Sequence, residues 1–110
     1  MVERIFVYGS LAPGRENEHF LSRIGGFWEA ATVTGRFYHE GWGAAMGYPG
    51  VVLDENGEKI PGYVFSSDKL ADHWAELDDF EGKEYERVLT KVKFKNNKTA
   101  DAYIYTLKRK

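Results

Sequence analysis

Short apolar runs separated by turn-forming residues recur along most of this chain, and they restrict the folds that it can adopt. The runs typical of strands are residues 5–8, 27–38, 51–53, 60–65, 85–94 and 100–107. Turn-forming residues at 54–57 (DENG) and 96–98 (NNK) separate the last four runs pairwise and favour two hairpins. Because most strands are neighbours in sequence, we predict an α+β fold: a small, mainly antiparallel β-barrel with two or so flanking helices.

Two segments have the spacing of helices. Residues 18–24 place three apolar side chains at helical intervals before a pair of glycines. Ser66 and Ser67 offer N-caps for a second helix, which we expect to begin near Asp68, where an acidic residue suits the positive end of the helix dipole. A parallel α/β fold would need more crossover helices than these two.

The composition limits the classes of protein that fit. The chain has 110 residues, 43% of them hydrophobic, and we predict one domain over residues 1–110. A formal charge of −2 provides no overall field for a nucleic acid or an acidic membrane, so neither is expected as a partner. No segment has the roughly 18 apolar residues of a membrane span. No export signal is visible and no cysteine is present, so we expect a cytoplasmic protein.

Patterns that would bind a metal or a nucleotide are missing or broken. The three histidines lie on separate segments without the spacing of metal ligands, so we expect no metal site. Gly9 and Gly14 have the spacing of a phosphate-binding Walker loop, but Arg15 and Glu16 stand where that loop needs lysine and serine or threonine. Since Glu16 would repel phosphate, nucleotide binding is not expected.

One carboxylate in the second predicted helix has an unusual position. At about 100° per residue, Leu70, Trp74 and Leu77 form one apolar stripe, and Glu81 falls on the same stripe if the helix extends that far. Burial and the negative end of the helix dipole would both raise the pKa of Glu81. The alternative is that the helix stops one or two residues earlier and that Glu81 lies in an exposed turn. The spacing alone does not choose between them.

The first predicted strand runs into a loop, Tyr8-Gly9-Ser10-Leu11, that precedes the first helix. Such a turn exposes backbone N–H groups, and its glycine allows a ligand to approach the main chain closely. An ordinary structural turn is the alternative for this segment. A second loop, residues 41–50, has four glycines and no usable period, and we interpret it as bordering a site.

Several motifs, in this order, resemble one known family. They are VYGSLAPG at 7–14, YPG at 48–50, and LDDFEG at 77–82 followed by YERV at 85–88. Together they resemble the γ-glutamyl cyclotransferase-like family, also called AIG2-like, over nearly the whole chain. The resemblance implies a small β-barrel with flanking helices, and a cavity where the loop meets a glutamate just before a glycine.

Carried over residue by residue, the resemblance implies that Glu81 is the catalytic acid and base. It also implies that tyrosines surround the pocket, and Tyr103 and Tyr105 share one strand face, so the sequence leaves open which of them reaches it. The implied substrate-binding residues are Tyr8, Gly9, Ser10, Leu11, Tyr85 and Tyr103. We expect Arg87 to form an ion pair with one of the nearby acids.

The implied reaction releases 5-oxoproline from a γ-glutamyl amine, amino acid or peptide. The substrate's own α-amino group attacks its γ-carbonyl, so the protein needs neither a nucleophile of its own nor a cofactor. The expected partner is therefore a small γ-glutamyl compound, and the enzyme would class as a lyase or acyltransferase. A non-catalytic module that binds a small carboxylate or γ-glutamyl ligand is the alternative. The departing amine and the oligomeric state are both left open.

Overall fold

The computed structural model describes residues 2–9, 11–38 and 50–107. The predicted loop at 41–50 and Ser10 therefore fall largely or wholly outside the described residues, and only Gly50 of that loop lies within them. The strands are β1 (Glu3–Val7), β2 (Phe27–Tyr38), β3 (Gly50–Leu53), β4 (Glu58–Ser67), β5 (Tyr85–Phe94) and β6 (Thr99–Leu107). The helices are α1 (His19–Ser22) and α2 (Trp74–Glu81), and a 3₁₀ turn, Leu70–His73, leads into α2.

Five of the strands close into a barrel, which confirms the predicted fold class. The strand order is β3-β2-β4-β1-β6-β5, and β2 also pairs with β5 through Ala31 and Thr32, so that β2, β4, β1, β6 and β5 form a ring. Only the β1–β6 pair is parallel among the pairings described. β3 is an additional strand on the second half of β2.

Side chains alternate between two apolar clusters along the strands. Phe6 of β1 pairs with Val64 of β4 and with Ile104 of β6, and all three belong to the cluster inside the barrel. The neighbouring residues Ile5 and Val7 belong to the other cluster, which lies between the barrel wall and the helices. Both faces of β1 are thus buried, as its continuous apolar run predicts. The β1 strand is therefore a rigid base for the loop that follows it.

The turn at 54–57 does not close the predicted hairpin, and that prediction is wrong. β3 and β4 both pair antiparallel with β2, and β2 lies between them in the sheet. The turn passes close over β2, since a Cβ at Gly57 would lie 2.3 Å from the carbonyl oxygen of Gly35. Only a glycine allows this approach. The second predicted hairpin, β5 with β6, is present, and its turn places Asn97 at φ 68°.

The second helix begins later than predicted. Ser66 and Ser67 still belong to β4, and Ser67 Oγ accepts a hydrogen bond from the Lys69 N–H (3.1 Å) and donates one to the Gly25 carbonyl (2.6 Å). The serine therefore caps a turn that leads into the 3₁₀ segment, and α2 starts at Trp74 without a side-chain cap. No helix in the described ranges is both long enough and apolar enough to cross a bilayer.

Candidate active site

Helix α2 extends to Glu81, as the apolar stripe requires, and the alternative of an earlier helix end is wrong. The Gly82 N–H donates to the Asp78 carbonyl (3.1 Å), and Gly82 then leaves the helix with φ at 88°. Glu81 therefore lies one turn after Leu77, which is 1% exposed, on the same side of the helix. The glycine ends the helix immediately after this carboxylate.

Glu81 is mostly shielded from water, and this changes its acidity. Burial raises the pKa of the Glu81 carboxyl from its ordinary value of 4.5 to about 7. Desolvation disfavours the charged form of the carboxyl, and this effect accounts for the raised pKa without a contribution from a neighbouring charge. At neutral pH the protonated and ionised forms of Glu81 are therefore both populated, which suits a group that must accept and return a proton.

The Tyr8 side chain lies next to Glu81 but its hydroxyl is already engaged. It donates to the Tyr105 carbonyl oxygen (2.6 Å) and accepts from the Val51 N–H (3.3 Å). Burial raises the pKa of Tyr8, and the nearby Glu81 and Tyr85 add to the effect. The structure thus brings Tyr8, Glu81, Tyr85 and Tyr105 together. The Tyr8 hydroxyl therefore links β6 to β3.

The loop after β1 forms a tight turn whose glycine is not crowded by any described atom. The Ala12 N–H donates to the Gly9 carbonyl (3.0 Å), and no described atom lies within 4 Å of where a Cβ on Gly9 would be. Leu11 is 3% exposed and packs in the cluster between the barrel and the helices. Of the predicted loop residues, Leu11 packs in the core and Gly9 has no described atom close to its Cα face, while Ser10 lies outside the described residues.

The structure separates the two tyrosines of β6. The Tyr103 ring packs against Trp74 (5.0 Å between centroids), at the start of α2 and seven residues from Glu81. Tyr105 is 4% exposed, its hydroxyl donates to Asp78 Oδ1 (2.7 Å), and its pKa is raised by burial first, then by the bond to Asp78, with Glu81 also contributing. Tyr105 is therefore the β6 tyrosine that lies beside Glu81, and Tyr103 packs at the opposite end of the helix.

Asp78 and Arg87 complete the surroundings of Tyr105. Arg87 Nη1 lies 3.6 Å from Asp78 Oδ1, which confirms the predicted ion pair, and the guanidinium lies over the Trp74 ring (4.4 Å). Asp78 was not among the predicted site residues. Its position one helical turn before Glu81 was the available signal, because residues at this spacing share a side of the helix.

A pocket of about 670 Å³ opens beside this group, between the end of α2 and the start of β5. Asp78 and Gly82 line it from the helix, Arg87 lines it from β5, and Tyr85 and Tyr105 belong both to its wall and to the group around Glu81. Across the described ranges, no cluster of three or more acidic or histidine side chains is arranged to hold a metal ion.

The chain belongs to the family described as gamma-glutamyl cyclotransferase, AIG2-like, whose model matches residues 5–110. This agrees with the resemblance seen in the sequence motifs. No curated protein matches the chain.

Solved structures with the same fold come from bacteria, plants and animals. YkqA from Bacillus subtilis is 29% identical with a TM-score of 0.72, and the match covers 97% of this chain and 36% of YkqA. A protein from Arabidopsis thaliana is 25% identical with a TM-score of 0.72, covering 97% of this chain and 62% of that one. An AIG2-like protein from Mus musculus is 22% identical with a TM-score of 0.71, covering 96% and 76%. This chain therefore spans less than two thirds of the first two proteins.

Proposed function

We propose that this chain is a γ-glutamyl cyclotransferase that releases 5-oxoproline from a γ-glutamyl amine, amino acid or peptide, with Glu81 as general acid and base. The observation that carries the proposal is the position of Glu81. It is a shielded carboxyl at the end of α2, close to Tyr8 at the start of the loop, with a pKa raised by burial to about 7. Family membership supports the reaction class.

The proposed reaction begins with a proton transfer to the Glu81 carboxylate from the substrate's α-ammonium group. The freed amine attacks the substrate's own γ-carbonyl carbon and forms a five-membered ring through a tetrahedral intermediate. The bond from that carbon to the departing nitrogen then breaks, Glu81 returns the proton to the departing amine, and the ring nitrogen gives up its second proton to the regenerated Glu81 carboxylate or to water. Atoms and charges balance without an added nucleophile, and a pKa near 7 lets one carboxyl do both transfers.

Backbone N–H groups of the loop support the same reaction in the proposal. No described atom lies within 4 Å of a Cβ placed on Gly9, and the Leu11 side chain anchors the turn in the apolar cluster. N–H groups held this way are suited to bind the substrate's carboxylate or the oxyanion of the intermediate, because they need no rearrangement when negative charge develops. Tyr85, which lies near Tyr8 and lines the adjacent pocket, is the phenol we propose as a contact for the substrate.

Binding itself provides part of the rate increase in this proposal. A γ-glutamyl chain has several rotatable bonds, and cyclisation requires the α-nitrogen to approach the γ-carbonyl. Holding the chain in that conformation removes an entropic barrier before the chemical step.

The experiment that tests the reaction is an incubation of the purified chain with γ-glutamyl amines, amino acids and peptides. Both products are measured, 5-oxoproline and the released amine, together with ligand binding. We expect the two products in equal amounts from at least one compound. Saturable binding without any 5-oxoproline would contradict the proposal and identify the alternative, a non-catalytic binding module.

A further inference from the structure

Helix α2 depends on contacts with the rest of the protein for its stability. It is eight residues long, its N-terminus has no side-chain cap, and Leu77 is its one fully buried residue. A helix of this length is marginal by itself, so its stability comes from tertiary contacts. In the last turn, where Glu81 lies, the Phe80 ring packs against Phe20 (4.4 Å between centroids) and Asp78 makes polar contacts.

Asp78 makes the polar contacts of the last turn. Its Oδ1 accepts a hydrogen bond from the Tyr105 hydroxyl (2.7 Å) and lies 3.6 Å from Arg87 Nη1. That nitrogen is shielded from solvent and has no hydrogen bond within the described chain, so Asp78 is its electrostatic partner. Stacking on Trp74 restricts the guanidinium further. One hydrogen bond and one ion pair thus act on the same oxygen of the Asp78 carboxylate.

Tyr105 connects this carboxylate to the loop. Its side chain bonds to Asp78 on α2, and its backbone carbonyl accepts the Tyr8 hydroxyl at the end of β1. A single residue of a barrel strand therefore spans the distance between the helix that carries Glu81 and the strand that leads into the loop. The connection consists of only two hydrogen bonds, of 2.7 and 2.6 Å.

We propose that Asp78 is a positioning residue for Glu81 and that it acts through Tyr105, which holds the last turn of α2 at a fixed place relative to the Tyr8 loop. The inference rests on the proposed function, because Glu81 is taken as the acid and base. Asp78 has no part in the chemical steps. It determines where the Glu81 carboxyl lies and how little water reaches it.

The charged and titratable groups around Glu81 define the expected effect. Tyr8 faces it from β1 and Tyr105 from β6, Tyr85 adjoins Tyr8 from β5, and Asp78 with its partner Arg87 lies one turn away. Loosening the last turn admits water to Glu81, and since burial is what raises its pKa, that pKa falls from about 7 towards 4.5. A contact that served stability alone would lower the melting temperature without moving this pKa.

The test uses Tyr105→Phe and Asp78→Ala. Tyr105→Phe removes the hydroxyl group but keeps the aromatic ring and the backbone carbonyl that accepts the Tyr8 hydrogen bond. Tyr63→Phe and Asp72→Asn are the matched controls: Tyr63 is 40% exposed, and Asp72 is an exposed acid in the preceding 3₁₀ turn. We expect both test variants to lower kcat about tenfold or more with a smaller change in KM, because misplacement of a reacting group costs rate at this scale. The controls keep the wild-type kcat.

Two further measurements do not depend on turnover. The pKa of Glu81, followed by NMR on labelled glutamate, should fall in both test variants and stay unchanged in both controls. Amide exchange at Gly82, whose N–H bonds to the Asp78 carbonyl, should become faster in the test variants alone. In the double variant, the two effects on kcat should be less than additive, because the two residues act through one contact.

The outcomes separate this inference from the proposed function. If Glu81→Gln is inactive while Tyr105→Phe and Asp78→Ala keep the wild-type kcat and Glu81 pKa, the positioning role is refuted and the proposed function stands. If Glu81→Gln retains activity, the proposed function itself is refuted. Should Asp78→Ala not fold, Tyr105→Phe and the milder Asp78→Asn, which loses only the charge, decide the question.

Discussion

The Tyr8 hydroxyl donates a hydrogen bond of 2.6 Å to the backbone carbonyl of Tyr105 and also accepts one of 3.3 Å from the Val51 N–H. One phenol therefore connects the ends of β1 and β6 to the start of β3. These are strands that meet where the loop leaves the barrel. A side chain within the loop's own motif thus links these strands to one another.

Tyr8→Phe should destabilise the fold. The change leaves the Tyr105 carbonyl and the Val51 N–H without this partner, and an unmet buried polar group costs about 1–3 kcal/mol. Urea unfolding monitored by tryptophan fluorescence measures the difference. Tyr63→Phe, at a phenol that is 40% exposed, is the control and should change the free energy of unfolding by less than about 0.5 kcal/mol. Equal stabilities for Tyr8→Phe and wild type would show that these two hydrogen bonds do not stabilise the fold.

Gly9→Ala should affect ligand binding and leave the fold intact. Gly9 is not among the glycines with a positive φ, and a Cβ there meets no described atom within 4 Å. An alanine methyl group would therefore not clash with the described part of the protein, but it would lie where we propose that the ligand approaches the loop. We expect a raised KM with unchanged urea stability. Gly62→Ala is the contrasting variant, because its Cβ would lie 2.5 Å from the Val7 carbonyl oxygen and should destabilise the fold. An unchanged KM for Gly9→Ala would remove the loop from the binding site.

The stability of the protein should depend on the protonation of Glu81. Its pKa is about 7 when folded and 4.5 when exposed, so between these pH values the unfolded state has lost a proton that the folded state keeps. Stability from this group is therefore full below about pH 4.5 and falls as the pH rises to about 7, by at most about 3 kcal/mol.

Glu81→Gln removes this titration and should make the protein more stable than wild type at pH 8. At pH 4 the two proteins should be nearly equal, since the wild-type carboxyl is then protonated in both states. Urea unfolding at the two pH values measures the difference, and Glu84→Gln, the same change three residues along, serves as control. A variant that is less stable than wild type at pH 8 would mean that the ionised Glu81 has a stabilising partner.

The rate of 5-oxoproline formation should rise as the pH passes through about 7, because the ionised form of Glu81 accepts the substrate's proton. Initial rates at saturating substrate between pH 5 and 8 measure this rise of the rate with pH. Glu84→Gln should show the same midpoint as the wild type. A midpoint of this rise near pH 4.5 would indicate that Glu81 becomes hydrated when substrate binds. A rate that does not change with pH over this range would indicate a different base.

Much of the fold follows from local sequence patterns, and the failures have a physical cause. The alternation in β5 and β6 and the turn between them predict the β5–β6 hairpin, which forms. The turn at 54–57 has equally suitable residues, but β3 and β4 instead pair with two sides of β2. Local turn chemistry does not contain this information, because strand partners are chosen by contacts that are distant in sequence.

The candidate site was likewise predictable from the sequence only in part. Helical spacing predicts that Glu81 lies one turn after a buried leucine, and the structure agrees. The period of a strand cannot separate Tyr103 from Tyr105, since both point to one side of β6. Their different surroundings come from the direction in which α2 crosses the barrel, with Trp74 over the first and Asp78 beside the second.

The most direct test of the account is the turnover of Glu81→Gln with a γ-glutamyl compound that the wild type converts. We expect 5-oxoproline formation to fall by at least about two orders of magnitude, because an amide cannot accept the proton from the α-ammonium group. The dissociation constant for the compound should stay within a few fold, and Glu84→Gln should react at the wild-type rate. A Glu81→Gln variant that forms 5-oxoproline as fast as the wild type would contradict the account.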